Sequence, residues 1–156
     1  MTQYKMPDDT ELELFRTIAA AQDKYTYFML AATGAALGFA LTQTREAAWS
    51  LDLIPLAAAA ACWVASFYCG SRNILLRSAT LFANINLLQV NRGAGVAVPN
   101  PAERGPQMQG IAKAMHGNAA LAAKHATWQF RLFVTGAGLY IVWHGLEMYQ
   151  RGQVAP

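Results

Sequence analysis

Apolar and polar positions along this chain are grouped on the scale of long helices. From Tyr25 to Thr44 the chain reads YTYFMLAATGAALGFALTQT, with no charge between Lys24 and Arg45. From Leu53 to Ser71 it reads LIPLAAAAACWVASFYCGS, bounded by Asp52 and Arg72. Each run matches the roughly twenty residues an α-helix needs to cross a hydrocarbon core of about 30 Å. A third run, Leu132 to Leu146 (LFVTGAGLYIVWHGL), is shorter between its charges. Arg131 at its start can snorkel toward headgroups, and Trp128 and Tyr149 bracket a span over 128–149.

The surrounding pattern extends each span into a longer helix. Thr10 followed by Glu13 is a capping box, and Leu14, Ile18, Ala21 and Tyr25 continue at helical spacing, so helix 1 is predicted over 10–44 with its span at 25–44. Helix 2 is predicted over 50–92 with its span at 53–71. Ser50 or Asp52 serves as N-cap, Pro55 lies in the first turn, and Gly93 follows as C′. Ile74, Leu81, Ile85 and Leu88 form an apolar seam beyond that span. The stretch GAGVAVPNPAERGP, 93–106, reads as a cytoplasmic loop in which Asn100, Pro101 and Glu103 cap a short turn. Helix 3 is predicted over 107–150, with Ile111, Met115, Asn118, Ala122 and His125 on one face. The expected architecture is an all-α integral membrane protein, one domain over 1–156. Three long transmembrane helices extend into a cytoplasmic helical stalk.

Composition agrees. Hydrophobic residues make up 54% of the chain and charged residues 13%, about half the charged share of a soluble domain. The net charge of +3 matters less than its sidedness. With three spans, Lys5, Arg16, Lys24, Arg72, Arg77, Arg92, Arg104, Lys113, Lys124 and Arg131 fall on one side, and Arg45 and Arg151 on the other. The basic side is the cytoplasmic one, which puts the N-terminus inside and the C-terminus outside, in a membrane of the bacterial inner-membrane type. These charges anchor helix ends and do not describe a nucleic-acid surface. A cleaved signal peptide is the rival reading of the first span. The long leader carries Asp8, Asp9, Glu11, Glu13 and Asp23, unlike a short basic n-region.

Small residues recur where helices would meet. Gly34 and Gly38 form a GxxxG pair, Ala58, Cys62, Ser66 and Gly70 recur at every fourth position, and Gly136, Gly138 and Gly145 form a looser set. In lipid, helices associate by close backbone approach, which small residues permit. So many small faces predict self-association as well as packing within one chain. Cys62 and Cys69 lie about 10 Å apart along a helix, too far to bridge each other.

Candidate chemistry is sparse. Nucleotide loops, HExxH and CxxC motifs are missing from the sequence, so no catalytic residue, cofactor or metal ligand is assigned and enzyme function is not expected. His116 and His125 are candidate switch residues, although interface packing is the simpler reading. Every Asp, Glu, Lys and Arg is expected at or beyond a span end, which disfavours a proton-coupled carrier. Thr26, Thr33 and Gln43 make a candidate pore face on helix 1, against the simpler reading that the hydroxyls bond their own backbone. The leading expectation is a homo-oligomer with a cytoplasmic docking or regulatory region, with or without a pore. The alternative is an accessory or scaffold subunit whose stalk binds a cytoplasmic or membrane protein partner.

Overall fold

The computed structural model describes residues 9–44, 51–92 and 101–154. These residues form three long helices, α1 (Asp9–Gln43), α2 (Ile54–Arg92) and α3 (Pro101–Val154), with a 3-10 turn at Leu51–Leu53 leading into α2. No strand occurs among the described residues. The helices run up, down and up. Leu30 of α1 meets Gly70 of α2, and Trp63 of α2 bonds to Phe133 of α3.

Two of these helices are long and apolar enough to cross a membrane, Arg16–Gln43 within α1 and Ile54–Asn91 within α2. In an apolar 18-residue window of each, only 22% and 28% is buried, whereas the core helix of a soluble protein is mostly buried. Phe28, Phe39, Leu41, Ile54, Val64 and Ile141 are each more than half exposed on the outside of the bundle. The corresponding part of α3 does not reach the same apolarity, because Gln129, Arg131, Thr135, His144 and three glycines dilute it.

Helix 3 begins earlier than its sequence suggests. Pro101 is its first residue, and both Gly105 and Pro106 lie inside it. Proline is favoured at the first helical position. Pro106 forfeits one bond, to the carbonyl of Ala102, close to an end where several donors are unpaired in any case. Thr10 already lies within α1, so it does not stand before the helix as a cap. Gly93 and Asn100 lie outside the described residues.

The α2–α3 contact is the longest among the described residues and follows steps of three and four. On α2 the inward positions are Leu56, Ala59, Trp63, Ser66, Gly70 and Asn73, continued by Leu76, Thr80, Ala83, Leu87 and Val90. Of the seam expected at Ile74, Leu81, Ile85 and Leu88, Ile74 is half-buried and the rest is displaced. Leu81, Ile85 and Leu88 are exposed, and Thr80 and Ala83 take the inward places because their short side chains let α3 approach. On α3 the expected face is the observed one: Ala122 is buried, and Ile111, Met115, Asn118 and His125 are half-buried.

Candidate functional site

The interior of the bundle is polar where α2 and α3 come closest. Ser66 donates to the carbonyl of Gln129 at 2.7 Å, and Trp63 Nε1 donates to the carbonyl of Phe133 at 3.3 Å. Both bonds reach carbonyls that already belong to the α3 ladder, so they tie the helices without unwinding either. Asn73 and Gln129 are buried as well, and the Gln129 side-chain nitrogen has no hydrogen-bond partner. Gly70 and Gly136 make this approach feasible. A methyl at Gly136 would lie 3.1 Å from the Ala59 carbonyl oxygen and 2.6 Å from Trp63 Nε1.

The small-residue positions divide into two groups. Ser66, Gly70 and Gly136 are buried at the α2–α3 contact, while Ala58 and Cys62 are half-buried beside it. A strict four-residue column drifts round a helix of 3.6 residues per turn, which is why Ala59 and Trp63 hold the inward places. Gly34, Gly38 and Gly138 face outward, and a methyl on any of them would meet nothing within 4 Å. Inside the protomer, the Gly34–Gly38 face packs against no other helix.

Thr26 and Thr33 are closed inside the protomer. Thr33 Oγ1 donates to the Met29 carbonyl at 2.6 Å, and Thr26 Oγ1 donates to the Gln22 carbonyl at 2.9 Å. Gln43 is exposed at the other end of α1, so the three residues do not form one open face. His116 is exposed beside a shallow cleft of about 250 Å³ lined by Thr80, Leu87 and Met115. His125 is half-buried, nine residues and about 13 Å further along α3. No group of three metal-ligating side chains occurs among the described residues.

Three features were not read from the sequence. Arg77 of α2 pairs with Asp23 of α1 at 2.9 Å and also donates to Gln22 at 3.0 Å, clamping those two helices together. Their charges and amide are scattered over 55 residues of sequence, and no local pattern pairs them. At the opposite end Phe39, Trp63, Tyr140, Trp143 and His144 form an aromatic cluster, with His144 stacked on Tyr140 at 6.2 Å. An apolar crevice of about 540 Å³ opens nearby between Leu37 and Leu41 of α1, with Thr44 just past its end, and Ala57 and Val64 of α2, with Leu53 in the turn before it.

The same bonds place Arg131. Its neighbours Gln129 and Phe133 accept bonds from Ser66 and Trp63, which sets Arg131 level with Val64 and Ala65. At about 1.5 Å per residue that is roughly 10 Å from Ser71, the end expected for the α2 span from sequence. Arg131 is exposed, and its guanidinium lies over the Trp128 ring at 5.9 Å.

No protein-family model, curated protein or solved structure matches the chain. The candidate site is thus a set of helix faces: a closed polar contact between α2 and α3, and uncovered small-residue faces on α1 and α3.

Proposed function

We propose that the protein is a three-span membrane protein with a cytoplasmic N-terminus that acts by assembly. It self-associates through α1 and offers its stalk as a docking surface. The observation that carries this reading is the uncovered Gly34–Gly38 face, which is small, uncharged and free of any contact within the protomer. In lipid such a face gains most when another helix backbone lies against it, and without charge it tolerates a symmetric contact between two copies. The exposed Leu81, Phe82, Ile85 and Leu88 of the stalk support docking of a further partner there. The function is non-enzymatic. Thr33 lines no conducting path in this reading, because its hydroxyl is enclosed and back-bonded.

Size-exclusion chromatography with light scattering in mild detergent tests the reading. The expected result is one defined multimer, which Gly38→Leu reduces in size because the bulk separates the backbones. A lone protomer in the unmodified protein overturns self-association and leaves the accessory-subunit alternative. An unchanged multimer in Gly38→Leu moves the contact away from this face.

A further inference from the structure

The side of α3 turned away from α2 carries a repeat of its own. Gly110, Gly117, Lys124, Arg131, Gly138, Gly145 and Gly152 fall at every seventh residue, and all are exposed. They include five of the seven glycines of α3. A methyl on any of those five would meet no atom within 4 Å. The inward positions of α3, Met108, Met115, Ala122, Gln129, Gly136 and Trp143, keep the same seven-residue period. They lie two residues earlier, roughly 200° round the helix. A seven-residue period stays on one face only when helices coil left-handedly about each other. Because the inward set remains against α2 throughout, the glycine column remains on the opposite side throughout.

This column is costly as it stands. Each exposed glycine weakens a helix relative to alanine, and no packing inside the protomer offsets it. Its two central places are cationic, and neither Lys124 nor Arg131 is in a salt bridge among the described residues. Among the described residues the Trp128 ring is the partner of the Arg131 guanidinium, and within a span a cation gains further from a carboxylate beside it.

We propose that this column is the docking seam for a membrane-spanning helix of a different protein, one that carries carboxylates opposite Lys124 and Arg131. The glycines above and below the charges let that helix approach closely over about 63 Å, and the two cations fix its register. Charge excludes a second copy. All copies share one orientation in the bilayer, so a symmetric contact sets Arg131 against Arg131. The chain has no Asp or Glu between Asp52 and Glu103 or between Glu103 and Glu147, and Asp23 lies at the level of Arg77. No carboxylate of another copy therefore reaches that depth. A lipid phosphate would neutralise Arg131, but it has no use for five glycines along the remaining length. The seam rests on the three-span reading and is independent of self-association through α1.

The test uses the full chain in phosphatidylcholine vesicles, labelled with a donor dye. The acceptor is a synthetic single-span leucine–alanine helix bearing two glutamates seven residues apart, one at headgroup level and one a third of the way across. A twin helix carries glutamines instead. Energy transfer to the glutamate helix is expected to saturate at about a tenfold lower peptide-to-lipid ratio than to its twin. Arg131→Gln should abolish the difference, and so should Gly138→Ile, with helix content and multimer size unchanged in both variants. Equal transfer to the two helices overturns the proposal. So does a glutamate preference that survives Gly138→Ile, which would be charge attraction without close contact. Loss of the preference on adding phosphatidylglycerol identifies a lipid as the occupant, and a smaller multimer in Gly138→Ile identifies a second copy. Failure of self-association alone would appear in Gly38→Leu and leave these results intact.

Discussion

Adding a single methyl group measures how closely two of these helices approach. At Gly136 it would fall 2.6 and 2.7 Å from the Trp63 ring and 3.1 Å from a backbone oxygen of α2. The ring is held by its own bond to Phe133, and the backbone cannot move alone. Gly136→Ala is therefore expected to destabilise by about 2–3 kcal/mol, the upper part of the range for overpacking. At Gly70 the obstacles are the far ends of Gln129 and Leu30, which can rotate aside, so Gly70→Ala should cost about 1 kcal/mol. Thermal unfolding in bicelles measures both, and equal losses would mean that Trp63 is freer than its contacts imply. Gly34→Ala and Gly38→Ala should leave protomer stability unchanged or raise it by about 1 kcal/mol through helix propensity. The sequence showed that small residues matter but not which ones face inward. Gly136 and Gly138 look alike in the string LFVTGAGLY, and the two-residue offset between them turns one toward α2 and the other away from it.

At the scale of elements, α1 and α2 were legible because long charge-free runs with few breakers leave a helix as the outcome. The start of α3 was hidden because Gly105 and Pro106 read as a loop, while their cost at a helix beginning is small. The displaced stalk seam has a different cause. The largest apolar residues, Leu81, Ile85 and Leu88, marked a seam by hydrophobicity, yet close contact with α3 selects Thr80 and Ala83. What holds α1 was invisible, since it depends on Arg77 meeting Asp23 and Gln22 across the two helices. This pair is partly exposed, with 26% and 59% of the two side chains accessible, so it contributes at most about 1 kcal/mol and weakens with salt. Its removal should act locally. Arg77→Ala is expected to broaden the distance distribution between spin labels at Ala20 and Ala79, with little change in overall stability. A distribution as narrow as that of the unmodified protein would show that apolar contacts alone hold the inner end of α1.

For the whole molecule, the number of crossings decides where every surface lies. The apolar character of α3 alone does not make it a span, but its contacts argue that it shares the layer of the other two. Trp143 is 5% exposed and belongs to one core cluster with Ala40, Leu56, Ala59 and Trp63, so α3 is enclosed at the same level as the end of α1 and the start of α2. A helix lying along the membrane surface could not reach that cluster. Glu147 and Arg151 pair one turn further on, with the Arg151 side chain largely exposed. If α1 and α2 cross, α3 crosses beside them, and the excess of Lys and Arg around α2's end and α3's beginning would then place that side in the cytoplasm. Single cysteines at Ala97 (in the segment 93–100, outside the described residues) and at Val154, in a C62A/C69A background, give the measurement. An impermeant maleimide should reach Val154 in intact cells and Ala97 only after the membrane is opened. Labelling of both from one side would leave α3 without a crossing, and would remove the depth at which Arg131 gains from a carboxylate.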